Sequence, residues 1–265
     1  MKNYIKTLAK LTFYFSKREL INRGAGSVIG IGWAFIQPMV MVIIYIFIFS
    51  IILKIKVGSK THPTSFALFL LAGFIPWAQF QETLIRSSTI ILENRDAVKK
   101  IAFPVESTVS GVLLSIHTMY SVPFAIFTLY CLTKLPNTTV STAYLLFQLL
   151  TIYLLQGIFC LGLSLMLASL TVYVRDIPQA LFPTLQVWFY LTPIVYPLRM
   201  VPSKFQWIIK LNPWTYLVEG YRSSLLYGSK IELQSTLIHA TIFAIILISG
   251  LMVFEKLKEG FPDVL

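Results

Sequence analysis

The chain has 265 residues, 56% of them hydrophobic and only 12% charged, with a formal net charge of +11. A soluble domain carries about 25% charged residues, and so few charges cannot cover a chain this apolar in water. That excludes a soluble enzyme, a DNA-binding domain and a disordered tail, and it makes the basic excess a marker of membrane topology rather than of a nucleic-acid partner.

In chain order, residues 3–22 predict an amphipathic helix. Ile5, Leu8, Leu11 or Thr12, and Phe15 recur at helical spacing, while Lys6, Lys10 and Lys17 line another face, which suits a helix lying in the membrane interface. The glycine-rich run from Gly24 to Gly32 contains no lysine, so it is not a phosphate-binding loop. Gly26 and Gly30 there have the spacing of small-residue helix packing. A bilayer core about 30 Å thick takes roughly 20 helical residues. Six charge-poor stretches meet that length: 32–53, 65–88, 107–133, 142–170, 177–198 and 233–254.

Two connections stand out. The loop 93–106 mixes Arg95, Asp96, Lys99 and Lys100 with Ile101 and Phe103, and Pro104 ends any helix before it. Apolar and aromatic residues among charges of both signs read as a protein contact. The segment 199–232, broken by Pro202 and Pro213, is too charged to cross cleanly. Such backbone sits at membrane depth only when buried in protein or lining a cavity. Glu219 and Arg222, three apart, are spaced to pair there. Pro178, Pro183, Pro193 and Pro197 crowd the fifth stretch and predict a kinked helix.

The expected fold class is therefore an all-α membrane protein, a single domain over 1–265 with six spans. Lys2, Lys6, Lys10, Lys17, Arg18 and Arg23 against the lone Glu19 place the N-terminus, and with six crossings the C-terminus, in the cytoplasm. Lys54, Lys56 and Lys60 in the first outer loop run against that bias. The first apolar stretch starts too late and is too long for a signal peptide, so the protein is expected to stay in the membrane as made.

The spans offer no internal energy source. Glu82, Glu93, Asp96, Glu106, Asp176, Glu219 and Glu232 fall near span ends or in loops. His117, the one titratable group near mid-bilayer, reads as a helix–helix hydrogen bonder. His62, His117 and His239 lie on separate elements, and Cys131 and Cys160 have no metal-ligand spacing. No catalytic constellation and no metal site is assigned. Active transport by this chain requires energy from a partner on its cytoplasmic face.

A set of segments in fixed order carries a resemblance. They are Lys17-Arg18-Glu19-Leu20, Gly32-Trp33 with Gln37-Pro38, Ala72-Gly73-Phe74-Ile75-Pro76-Trp77, the 93–106 loop with Phe103-Pro104, Val174-Arg175-Asp176-Ile177, Leu191-Thr192-Pro193-Ile194-Val195-Tyr196-Pro197, and Leu211-Asn212-Pro213-Trp214-Thr215-Tyr216 running on to Glu219 and Tyr221-Arg222. Over nearly the whole chain this resembles the membrane-spanning permease of polysaccharide-export ABC transporters, which move O-antigen, capsule or teichoic acid precursors. The chain departs from the pattern at Gly24, where an aromatic is usual, and at Val105, where a basic residue is common.

The resemblance implies a homodimer in the bacterial inner membrane with two separate ATP-binding-cassette ATPase subunits. The chain binds no cofactor; ATP and Mg would sit on the partner. The cargo would be a lipid-linked polysaccharide, as in lipopolysaccharide biosynthesis. Arg95, Asp96, Lys99, Lys100, Ile101, Phe103 and Pro104 would form the coupling contact with the ATPase. Pro213, Trp214, Glu219 and Arg222 would belong to re-entrant gate helices on the outer side. Because aromatic rings hold sugar faces yet tolerate sliding, Phe182, Phe189 and Tyr196 at seven-residue intervals, Gln186 near them, and Tyr45 with Phe49 are the channel-lining candidates. The alternative within the fold is a related ABC permease exporting a drug or lipid. A membrane-embedded enzyme or an uncoupled channel would need a polar cluster or a filter motif, and neither is assignable.

Overall fold

A computed structural model describes residues 2–24, 30–52, 54, 57–58, 63–100, 103–134 and 140–265. Among these the chain is helical apart from turns and one antiparallel pairing of two-residue strands, β1 (Val57–Gly58) with β2 (Pro63–Thr64). The helices are α1 (Lys2–Gly24), α2 (Trp33–Tyr45), α3 (Phe66–Glu93), α4 (Arg95–Lys100), α5 (Glu106–Lys134), α6 (Thr142–Tyr173), α7 (Ile177–Tyr190), α8 (Ser203–Leu211), α9 (Pro213–Arg222), α10 (Leu233–Lys258) and α11 (Phe261–Val264). Four of them, α3, α5, α6 and α10, are long and apolar enough to cross a membrane. A π-helical stretch, Ile46–Ile52, continues α2.

The long helices overrun the apolar stretches that mark them. α3 reaches Glu93 rather than 88, α6 reaches Tyr173 rather than 170, and α10 reaches Lys258 rather than 254. The fifth expected span does the opposite. α7 stops at Tyr190, and Leu191–Tyr196 is a turn followed by a 3-10 turn at Leu198–Met200. Pro193 has no N–H for a helical bond, and its ring disfavours helical geometry at Thr192. Fourteen residues of α7 rise only about 21 Å.

Close packing of small residues occurs among the described residues. Gly26 lies outside the described residues, and Gly30 sits in a 3-10 turn with φ 54°, a left-handed conformation that suits glycine. The close approach is between α6 and α10. A Cβ on Gly162 would lie 2.7 Å from Leu247 Cα, and one on Gly250 would overlap the Gly162 carbonyl. Helices in lipid associate through such contacts because hydrocarbon gives no hydrophobic drive between them. A similar contact joins α1 to α5, where a Cβ on Gly111 would meet Phe15 Cβ at 2.6 Å.

Side-chain contacts define two ends. At one end lie α1, the C-terminal ends of α3, α6 and α10, the start of α5, and α4 with α11: Arg18 bonds Asn94, Tyr4 bonds Glu106, and Tyr173 bonds the Leu257 carbonyl. At the other end the starts of α3, α6 and α10 meet α9 and the turn after α7. Between them, α3, α5, α6 and α9 share a buried polar thread. Gln156 donates to the Pro76 carbonyl and to Gln79, accepts from Tyr221 at 2.6 Å, and Gln79 passes the thread to Tyr153. Buried amides satisfied in this way act as interhelical glue.

Candidate functional site

A cavity of about 360 Å³ lies between α2, α3, α5 and α7. Its walls are Met41 and Tyr45, then Phe74, Trp77, Ala78, Gln81, Glu82 and Ile85, then Tyr120, and finally Phe182, Gln186 and Phe189. Four of the six channel-lining candidates, Tyr45, Phe182, Gln186 and Phe189, thus share one surface. Phe189 is 3% exposed and is wedged against Tyr45 (5.7 Å between centroids), Trp77 (5.7 Å) and Phe74 (6.2 Å). Phe182, two turns earlier, is open at 53% exposed. Phe49 and Tyr196 do not line the cavity. Phe49 stacks on Phe66 at 5.6 Å, and Tyr196 donates its hydroxyl to the Tyr190 carbonyl across the turn. The seven-residue spacing fails at Tyr196 because the helix has ended six residues earlier.

The polar wall centres on Glu82, which is not near a helix end: α3 continues for eleven more residues to Glu93. Its carboxylate accepts from Tyr120 at 2.8 Å and pairs with Arg23 of α1. A carboxylate at such a position needs this compensation. Glu19 of α1 joins in, 3.6 Å from Arg23 and 2.5 Å from Arg86 of α3, and Arg86 also pairs with Glu93. So α1 turns Ser16 and Glu19 inward, while Ile5, Phe13, Tyr14 and Ile21 face outward with Lys6, Lys10 and Lys17. The Tyr4 hydroxyl donates to Glu106, which pushes the phenol up to about 12.

Beside this end, α4 presents Arg95, Asp96, Lys99 and Lys100 outward and buries only Val98. Asp96 in its first turn and two lysines in its last complement the helix dipole. Ile101 lies outside the described residues. Phe103 and Pro104 are half-buried, and the Phe103 ring lies 5.8 Å from Phe15 of α1.

At the far end, the turn after α7 is locked to α9 by two side chains. Arg222 is fully buried and donates to the carbonyls of Pro193 (2.6 Å), Ile194 (2.8 Å) and Phe69 (3.3 Å), and to Glu219 (2.9 Å), with its guanidinium 3.4 Å over the Phe69 ring. The Glu219–Arg222 pairing expected from spacing is present, but most of the Arg222 donors serve backbone carbonyls. Asn212 is the second lock. Its Oδ1 caps α9 at Trp214 N (3.0 Å) and accepts from Trp188 Nε1 (2.9 Å), while its Nδ2 reaches Thr192 Oγ1 (2.8 Å) and the Leu191 carbonyl (3.3 Å). Pro213 occupies the first helical turn, where its missing N–H costs nothing. Trp214 is buried against Trp77 (5.1 Å) and Phe80 (4.7 Å), well inside α3 rather than at its start. Trp188 does not figure in the sequence reading; Trp77 and Asn212 appear there only inside motif segments, and Glu82 only as an acid near a span end. Asn212-Pro213 carries a readable signal, a helix cap followed by proline at the first position.

Two kinds of comparison bear on this arrangement. The sequence profile of the ABC-2 type transporter family matches residues 10–226. The chain is 28% identical over 268 residues to an O-antigen export system permease protein RfbA of Klebsiella pneumoniae, covering 100% of this chain and 98% of that one. It is 24% identical to an RfbA of Myxococcus xanthus, covering 93% and 92% of the two chains. It is also 24% identical to the polysialic acid transport protein KpsM of Escherichia coli, covering 92% of each.

Proposed function

The chain belongs to the ABC-2 type transporter family, and from that premise we propose that it is the permease subunit of an ATP-driven exporter of a lipid-linked, O-antigen-like polysaccharide. Fold alone names no cargo. The observation that carries the cargo is the full-length likeness to permeases named for O-antigen and polysialic acid. The cavity suits it chemically, with ring faces for sugar C–H surfaces and the amides of Gln81 and Gln186 for hydroxyls.

In this reading two copies form the channel in the bacterial inner membrane, and two ATP-binding subunits, which hold the ATP and Mg, drive it from the cytoplasm. Both termini are cytoplasmic and α4 is the coupling element. Six crossings are made by α2 with its π-helical continuation, α3, α5, α6, α7 with the turn after it, and α10. The run 33–52 is roughly 30 Å long, enough for the first crossing. The outer face of α10, with Ile245, Ile248 and Met252 exposed, meets lipid. α1 lies in the interface with its apolar side outward. α8 and α9 are re-entrant gate helices, supported by the depth at which Trp214 meets Phe80.

Depletion of the protein tests the function. Lipid-linked glycan is expected to accumulate on the cytoplasmic leaflet, and unaltered surface glycan together with drug sensitivity would replace the cargo assignment. Phe182→Ala with Gln186→Ala tests the cavity without emptying the core, since Phe182 is exposed and Gln186 half-buried. Aromatic contacts of about 1 kcal/mol correspond to roughly fivefold, so export at matched protein level is expected to fall by about that factor.

A further inference from the structure

The turn after α10 lies at the α4 end and is built more firmly than its length requires. Phe261, in a four-residue helix, is fully buried, edge-on to Phe254 at 5.8 Å and 6.3 Å from Tyr173. Tyr173, the last residue of α6, donates to the Leu257 carbonyl at 2.8 Å. A Cβ on Gly260 would run into that Tyr173 hydroxyl, so a larger residue there must push the phenol aside. α11 touches both α6 and α4. α4 itself has six residues and a single buried side chain, Val98. A helix that short is not self-supporting, and its packing partners are the end of α3 and α11.

We propose that the Phe261 turn positions α4 and carries its displacement to α6 and α10. Close-packed interiors transmit strain, and the path from α4 through α11 reaches two helices that α4 does not adjoin in sequence. This rests on the reading of α4 as the element that meets the ATP-binding subunit.

The test uses the full chain with its ATP-binding subunits in inverted membrane vesicles. Ala97→Cys, half-buried on α4, reports helix position by its labelling rate with an impermeant maleimide; Cys131 and Cys160 are buried. Two variants probe the turn: Phe261→Ala, and Gly260→Ala, which keeps the ring should the first fail to assemble. In each, labelling is expected to change by about threefold or more, with the ATP-binding subunit still bound and export per ATP hydrolysed down about fivefold. Tyr173→Phe removes the hydroxyl that the new methyl meets but also its bond to the Leu257 carbonyl, so adding it to Gly260→Ala is expected to restore both readouts in part, to the level of Tyr173→Phe alone. Unchanged labelling in both variants overturns the proposal. So does altered labelling with export per ATP as in the parent. Lys99→Glu with Lys100→Glu then separates the two failures. If the reversals detach the subunit, α4 is the coupling element and only the brace is wrong. If they leave binding and export intact, the reading of α4 is wrong.

Discussion

Arg222→Ala is expected to lower the melting temperature of the purified chain in detergent by on the order of 10 °C, and its steady-state level in the membrane several-fold. The guanidinium is fully buried and is the shared donor for the carbonyls of Pro193, Ile194 and Phe69. Removing it strands turn carbonyls away from water, at about 1–3 kcal/mol for each group left unpaired. Arg222→Lys is expected to recover little, because an ammonium is a point donor and cannot serve several separated carbonyls while stacking on Phe69. Glu219→Gln provides the contrast. Glu219 is 40% exposed, so its half of the pair is worth about 1 kcal/mol or less. Melting curves of the three variants check the ordering, and equal losses for Arg222→Ala and Glu219→Gln would show that the ion pair, not the carbonyl lock, holds the turn.

Gly250→Leu is the second large effect. Since a Cβ at that position would overlap the Gly162 carbonyl, α6 and α10 must part along their crossing. Overpacking costs about 1–3 kcal/mol where neighbours can give; here the neighbour is backbone, so the upper end or beyond is expected. The same geometry predicts that no substitution at Gly162 suppresses it, because the obstacle is a main-chain oxygen. Gly111→Ala meets a similar obstacle, the Phe15 Cβ with the backbone of Phe15 and Ser16 behind it, so only glycine at position 15 removes the first contact. Thermal melts of Gly250→Leu alone and combined with changes at Gly162 decide the point.

What can be read from sequence follows from what each signal measures. Absence of charge marks where a chain is apolar, so the starts of α6 and α10 at Thr142 and Leu233 coincide with the stretches 142–170 and 233–254. It does not mark where a helix stops, because a helix can continue past its apolar stretch, and that is why α3 carries on beyond 88 to Glu93. Proline density in 177–198 is legible as a disturbance; whether it kinks or ends the helix depends on Arg222 and Asn212, far along the chain, which capture the freed turn. Periodicity shows that α1 has two faces, but which one meets protein is set by Glu82 and Arg86 of α3. The cavity is a product of four helices, and of the lining candidates read from sequence only Phe182, Gln186 and Phe189 share one, while Tyr45 comes from α2.

The Asn212 amide, with both its oxygen and its nitrogen committed, has a bearing on how the protein ages. Spontaneous deamidation usually begins when the backbone nitrogen of the next residue attacks the side-chain carbonyl and closes a succinimide. Here the next residue is Pro213, whose ring nitrogen carries no hydrogen to give up. Conversion to aspartate would cost the Nδ2 bonds to Thr192 and Leu191, so the proline that starts α9 also shields the amide that ties α7, the turn after it and α9 together against that slow chemistry.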